Sequence, residues 1–418
     1  MKVLWLCNLI LPDFSQEFGL GKFIFGGWMT AMLHELEKRE GIDIDVCFPV
    51  YEESQLKEGK CKGHDYYAFL GNRNAEIFNP ELVETFEQIL KKAEPDIVHI
   101  WGTEYPHSMA MVLACKNSGL LDRCVIDIQG LVSVYSKHFL HGIPEECRTF
   151  KYGRFTSMEE DMASFEKRGK YEIESIKMVR HVMGRSDWDR ACAEAINADI
   201  QYHMCDRILR SCFYEYAGKW KYNECEKHSI FVSQASYPVK GFHYILQALP
   251  VIIKKYPDVH VYVTGPNIFV GEKSPYAVYL EALMEELDIQ SHISFLGMLN
   301  ERVMIQKYLK SNVYVSASLI ENTSNSVGEA MILGVPCVAS YVGGVYSKMS
   351  FGVEGLLYPY DEPALLAYYI CKVFENKDDL CSKLSGSSVK NMMKIADPER
   401  NADIMFQVYK EIDTQNVK

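Results

Sequence analysis

Residues 229–265 read SIFVSQASYPVKGFHYILQALPVIIKKYPDVHVYVTG. The run opens on a short segment rich in β-branched and aromatic residues, passes through Lys240-Gly241 into an apolar stretch, and closes on VHVYVTG. A strand, a helix and a second strand in that order predict neighbouring parallel strands joined over one face by the helix. The alternation continues through HISFLG, NVYVSAS and VPCVAS, so a whole parallel sheet is implied. It also runs through the amino-terminal part: KVLWLCN, a helix over about residues 27–39, IDIDVCF, a helix over 81–92, DIVHI, a helix over 108–116, and RCVIDI ending at Gln129-Gly130. The fold class read from this order is α/β, with two parallel sheets covered by helices.

Between residues 136 and 225 the pattern weakens, with helices predicted over 158–178 and 188–196. This stretch reads as the end of the first domain plus a hinge. The expected division is residues 1–225 for the first domain, 226–397 for the second, and 398–418 for a carboxy-terminal helix that packs back on the first. In open α/β sheets ligands sit at the carboxyl ends of the strands, and two such sheets predict a cleft between them.

Composition narrows the function. The 418 residues are 48% hydrophobic and 24% charged, as in a globular chain with a sizeable core. Their 44 basic and 56 acidic residues give a net charge of -12, which repels phosphate backbones and anionic bilayers. Nucleic acid is thereby excluded as the expected partner, and membrane contact is at most peripheral. Thirteen cysteines are scattered without a C-x-x-C or a His/Cys cluster of zinc spacing, which predicts reduced thiols in a cytoplasm. The opening MKVLWLCNLILP resembles a signal peptide, but Asn8 interrupts the apolar run and Pro12-Asp13 replace a small-residue cleavage site. A buried first strand is the reading, and the sequon at Asn322 then has no glycosylation role.

The stretch from Ala330 to Ser347 carries no charge, yet Gly334, Pro336, Gly343 and Gly344 cut it into a helix end, a strand and a loop. A spanning helix needs roughly 20 continuous apolar residues. Upstream of it, SLIENTSNSVGEAMILG places Glu321 in a loop at the carboxyl end of the strand NVYVSAS, and Glu329 one turn into a helix that begins near Ser326. Ser326-x-x-Glu329 has the spacing of a capping box, so a purely structural role for Glu329 stands beside a binding one. The amino terminus of that helix offers free N–H groups and a positive dipole end to an anion. Lys240 can neutralise a diphosphate or simply be solvated. Gly26-Gly27, within GLGKFIFGGWM, permits close backbone approach to a ligand or makes a plain turn; neither the G-x-G-x-x-G nor the Walker pattern is present.

Taken together these residues resemble the family-4 (group 1) retaining glycosyltransferases of GT-B fold. The matching pieces are Gly26-Gly27, PDIVHIWG at 95–102, Lys240-Gly241, the E-x7-E pair Glu321 and Glu329, EAMILGVPCVAS, Gly343-Gly344, and GVEGLLYP at 352–359. The resemblance implies two Rossmann-like domains, an acceptor-side first domain and a second that binds a nucleoside-diphosphate sugar, with no cofactor and no metal. It implies that Glu321 and Lys240 serve the chemistry, and that Glu329 bonds the ribose. Asn322, Thr323, Ser324, Asn325 and Ser326 would offer amides to sugar and diphosphate. It also implies a hydroxyl acceptor on a glycan or lipid-linked glycan, in surface-polysaccharide assembly, in the cytoplasm or at the inner face of the membrane.

Three positions depart from the family pattern. Gln234 stands where an Arg usually precedes the Lys-Gly, Gln129 stands where His precedes Gly130, and no acid follows Gly343-Gly344. Gln can bond but cannot carry charge. Arg185 is the candidate replacement cation for the diphosphate, with Arg207 and Arg210 as further ones. Two other readings remain open on these residues: a catalytically silent sugar-nucleotide-binding module, and a sugar-nucleotide epimerase.

Overall fold

The computed structural model describes residues 1–19 and 26–415. Most of the glycine-rich stretch before Gly26 therefore lies outside the described residues, as do residues 416–418. The chain divides into two compact units: residues 1–136, 164–210 and 396–418 form the first, and residues 137–163 and 211–395 the second. Residues 137–163, expected with the first domain, thus belong with the second, which takes up the chain again at Ser211 rather than at residue 226.

The first unit is built on eight strands: β1 (Lys2–Leu6), β2 (Asp43–Val50), β3 (Glu58–Cys61), β4 (His64–Leu70), β5 (Ile97–Trp101), β6 (Cys124–Asp127), β7 (His181–Gly184) and β8 (Gln201–Met204). Their order is β3-β4-β2-β1-β5-β6-β7-β8, parallel throughout save for the antiparallel edge pair β3 and β4. The central strands are apolar on both faces, as parallel strands between helix layers must be. Helix Glu81–Ala93 shows how the sequence selects its layer: Leu82, Phe86, Ile89, Leu90 and Ala93 are buried on one stripe, Glu81 and Glu84 sit in the first turn, and Lys91 and Lys92 in the last. Helix Pro398–Gln415 lays Ala402, Met405, Tyr409 and Ile412 into the same core cluster as Met29, Met32 and Leu36 of helix Gly27–Leu36.

The second unit holds β9 (Ser229–Val232), β10 (His260–Thr264), β11 (Ile293–Gly297), β12 (Val313–Ser316), β13 (Cys337–Ser340) and β14 (Leu356–Tyr358). The order is β11-β10-β9-β12-β13-β14, all parallel. From β9 the chain crosses to β10 on one side, and from β12 to β13 on the other. The ends of β9 and β12 are therefore a topological switch point, where the two connecting loops part and leave room for a ligand.

Candidate functional site

Two loops meet at that switch point. After β9 the chain runs through Gln234 to the turn Pro238–Lys240, then Gly241, then helix Phe242–Lys255. After β12 it runs through residues 317–324 into helix Asn325–Leu333. The loops are locked together by backbone: Leu319 N–H donates to the Val239 carbonyl at 2.8 Å, and a Cβ on Gly241, whose φ is +65°, would collide with the Ala317 carbonyl oxygen. Only glycine fits both the angle and the contact. From the far side, Ser340 Oγ donates to the Ser318 carbonyl at 2.6 Å. Gly343, at φ +49°, lies against the Glu321 carbonyl so closely that a Cβ there would also collide, and Gly344 N–H donates to the same oxygen at 3.0 Å. The Lys-Gly and Gly-Gly pairs are thus the clamps that hold residues 317–321 in place.

The side chains those clamps position form an ion pair. Lys240 Nζ lies 2.8 Å from Glu321 Oε2, with the two side chains 19% and 13% exposed, and Ser318 Oγ donates to the same oxygen at 3.3 Å. Gln234, Ser324 and Ser326 line the same pocket. Gln234 is tied by its Nε2 to Ser236 Oγ at 3.0 Å. Asn322 and Thr323 are buried; Thr323 Oγ1 and Asn325 Oδ1 are buried polar atoms without a hydrogen-bond partner among the described residues. Beneath the loop, the Tyr314 hydroxyl bonds Ser233 Oγ at 2.7 Å, and burial pushes it well above its ordinary value, with Cys337 and Glu329 adding to the shift.

The capping-box reading of Ser326 and Glu329 is corrected here. The cap is Ser324, whose Oγ accepts from Val327 N–H at 3.5 Å, so the helix starts earlier than the spacing suggested. Glu329 then falls five residues past the cap, beyond the reach of the free N–H groups, and lies buried at 6% exposure. Among the described residues, capping boxes are found elsewhere, at Ser157 with Glu160 and at Ser186 with Asp189.

In the first unit, Gly26 has φ +76° and precedes helix Gly27–Leu36; a Cβ on it would stand 2.8 Å from Leu9 Cδ1. Gln129 and Arg185 are brought together, Arg185 Nη2 donating to the Gln129 carbonyl at 2.9 Å. Arg185 is buried, which lowers its pKa to about 10, with the nearby Arg207 contributing; it stays a cation at neutral pH, and its Nε has no hydrogen-bond partner among the described residues. Arg207 is not a phosphate ligand in waiting: it is fully buried, paired through both terminal nitrogens with Asp127, and covered by the rings of Trp28 and Trp101 at 4.7 and 5.1 Å. Sequence reasoning missed Glu104, at the carboxyl end of β5. Asn8 Nδ2 donates to its Oε2 at 3.1 Å, and Gly102, at φ +92°, leaves room for the carboxylate where a side chain would collide. Burial raises its pKa above the usual carboxylate value, against nearby Arg168 and Arg185.

Residues 226–376 match the family model described as glycosyl transferases group 1. Over 152 residues the chain is 28% identical to an uncharacterized glycosyltransferase of Methanocaldococcus jannaschii, covering 36% of this chain and 36% of the relative. Over 142 residues it is 30% identical to the D-inositol 3-phosphate glycosyltransferase of Corynebacterium urealyticum, covering 34% and 33%. The match thus spans about a third of the length of these curated relatives. Among solved structures the chain is similar to sucrose-phosphate synthase from Thermosynechococcus elongatus, with a TM-score of 0.73, 14% identity and 100% of both chains covered. It is also similar to Anabaena HepE in complex with UDP-glucose, with a TM-score of 0.65, 15% identity, and 98% and 100% covered. The two sheet-based units are those of the GT-B fold. Among the described residues, no helix is long and apolar enough to cross a membrane.

Proposed function

We propose that the protein is a retaining, metal-independent glycosyltransferase of the group 1 (family-4) type, moving a sugar from a nucleoside diphosphate to a hydroxyl of a glycan or lipid-linked glycan. The observation that carries the reading is the Lys240–Glu321 pair at a switch point, beside the amino terminus of helix Asn325–Leu333. The family match over this same unit supports it, and the UDP-glucose complex of HepE supports a uridine donor. Breaking the bond between the anomeric carbon and the phosphate oxygen sends its electron pair onto the diphosphate. Lys240 and the helix N–H groups lower the energy of that charge, doing what a metal does elsewhere. Glu321 faces the donor sugar and Glu329 the ribose, while Thr323 and Asn325 gain the partners they lack. The acceptor belongs to the first unit, and the work is surface-polysaccharide assembly at the inner face of a membrane.

Gln234, which brings no charge to the pocket, favours one second reading, a sugar-nucleotide-binding module without turnover. A panel of UDP-, GDP- and ADP-sugars separates the two. A donor at 100 times its dissociation constant adds about 2.7 kcal/mol of stability, visible as a melting shift. Binding with release of the free nucleoside diphosphate in the presence of a glycan extract supports transfer; binding without turnover supports the silent module; no shift with any sugar nucleotide overturns both.

A further inference from the structure

A second, shallow pocket lies in the first unit, at the carboxyl ends of β2 and β4 and beside the loop after β5; its enclosed volume is about 10 Å³, room for one water, so a sugar would rest on its rim. Tyr51, Asn72, Asn74, Asn79, Ile77 and Tyr105 line it. Tyr51 is 40% exposed, and Gly71 makes space for its ring: a Cβ there would stand 3.1 Å from the ring edge and 2.9 Å from Pro49. Tyr105 is held in a fixed orientation by Arg168 at 5.2 Å and by His107, stacked at 5.4 Å.

The three carboxamides are pre-oriented alike. Asn72 Oδ1 accepts from Asn74 N–H at 2.9 Å, Asn74 Oδ1 from Glu76 N–H at 2.9 Å, and Asn79 Oδ1 from Glu81 N–H at 3.0 Å. Each oxygen is engaged, so each amide presents its NH2 as donor. The charges around the pocket are matched among themselves, Arg73 with Glu52 at 3.9 Å and Lys167 with Glu76 at 2.6 Å. What remains is the partly exposed Tyr51 ring, with Arg73 over it at 5.6 Å, and several neutral donors, which suits the C–H face and hydroxyl oxygens of an uncharged sugar better than an anion. A hydrogen-bonded chain leads from its wall to Glu104. His107 Nε2 bonds Asn8 Oδ1 at 2.7 Å, and Asn8 donates on to Glu104. Burial holds the His107 pKa down at about 3, so the ring is neutral and its Nε2 carries the proton.

We propose that this pocket is a subsite for a neutral pyranose of the acceptor, one unit away from the residue that reacts. The proposal rests on the glycosyltransferase reading and adds that the acceptor is an oligosaccharide chain. Binding energy gathered at a remote unit is then available to orient the reacting hydroxyl.

The test uses the full-length protein and two readouts. Saturation-transfer NMR is recorded with the methyl α-glycosides of glucose, mannose, galactose and N-acetylglucosamine. Thermal shift with UDP-glucose is measured on the same samples. At least one glycoside is expected to bind, with binding about tenfold weaker in Tyr51→Ala and Asn74→Ala and largely kept in Tyr51→Phe, while the UDP-glucose shift is unchanged in all three. Absence of glycoside binding in a protein that binds UDP-glucose, or equal binding by Tyr51→Ala and Asn74→Ala, overturns the subsite. Glycoside binding in a protein that binds no sugar nucleotide leaves the subsite standing and removes the transferase reading instead.

Discussion

The Lys240–Glu321 pair makes a prediction in which two mutations at one ion pair act in opposite directions. In the ligand-free protein the ammonium that should meet the diphosphate already has a carboxylate at 2.8 Å. At that distance and an effective dielectric constant near 20, the attraction is about 6 kcal/mol before desolvation is subtracted. With both side chains partly exposed, a net coupling of about 1–2 kcal/mol is the reasonable scale. An incoming diphosphate competes with Glu321 for Lys240. Removing the competitor in Glu321→Gln should therefore tighten UDP by about 5- to 30-fold while turnover falls, because the group facing the sugar is lost. Lys240→Ala should weaken UDP by at least a similar factor. The assay is calorimetric titration of UDP into wild type, both single variants and the double variant, with diphosphate release measured alongside. If Glu321→Gln weakens UDP as Lys240→Ala does, the two groups bind the nucleotide side by side, and the competition argument is wrong.

The corrected cap makes a second contrast: Ser324→Ala should cost about 1 kcal/mol of stability in denaturant titration, whereas Glu329→Gln should leave stability nearly unchanged and weaken donor binding. Gly343→Ala meets both a positive φ and the Glu321 carbonyl, so it should cost on the order of 1–3 kcal/mol and depress turnover through Glu321. Glu172 gives a pH signature. It is fully buried, it accepts from Thr103 Oγ1, Val132 N–H, Ser133 N–H and Ser133 Oγ at 2.5–3.1 Å, and burial raises its pKa to about 7. The folded chain therefore holds a proton that the unfolded chain releases near pH 4.3, so Glu172 makes stability fall as pH rises from about 4.5 to 7. Buried His107 and His243, with pKa values of about 3, act oppositely, since the unfolded chain takes up their protons below pH 6.5. Comparing Glu172→Gln with wild type cancels the histidines: the variant's stability should rise relative to wild type across that window by up to about one proton's slope, and parallel curves would refute the assignment.

What the sequence disclosed was whatever is written locally. The strands of both sheets that carry continuous β-branched runs, and the helices with one apolar stripe, were legible from periodicity alone. Edge strand β3, EGKC, is short and exposed, and its four residues carry no apolar alternation to read. Residues 137–163 were misassigned because their place depends on partners far along the chain: His141 bonds the Tyr244 hydroxyl at 2.8 Å, its carbonyl meets His243 Nε2 at 3.2 Å, and Arg154 pairs with Glu272 at 3.0 Å. The site divides the same way. Glu321 and Lys240 could be flagged from their loops, but their contact across 81 residues could not. Glu104 looked like any loop acid, because Asn8, which orients it, lies 96 residues earlier. The capping reading of Ser326 and Glu329 failed in the other direction, since a motif with the right spacing was displaced by a serine two residues upstream.

The buried charges of the first unit suggest why so much of its core is polar. Arg207 joins Asp127, two residues before Gln129, to Trp28, the second residue of the helix after Gly26, and to Trp101, immediately before Gly102. One guanidinium thus ties the starts of the loops after β5 and β6 to the first turn of the helix after Gly26. Asp127 Oδ2, which accepts from Arg207 Nη1, also lies 3.7 Å from His99 Nε2, and His99 Nδ1 bonds the hydroxyl of Tyr409, which also accepts from Trp5 Nε1 at 3.1 Å. Burial keeps His99 neutral, so the Tyr409 hydroxyl donates to Nδ1 and the Nε2 proton faces the carboxylate. Apolar residues of equal volume would stabilise this core at least as well, since two buried ions recover little more than their desolvation cost. Greasy packing would not, however, set the direction of each loop. The carboxy-terminal helix, through Tyr409, becomes part of the same network, so its return to the first unit does more than cover apolar surface: it completes the polar chain that aims Gln129 and Gly102.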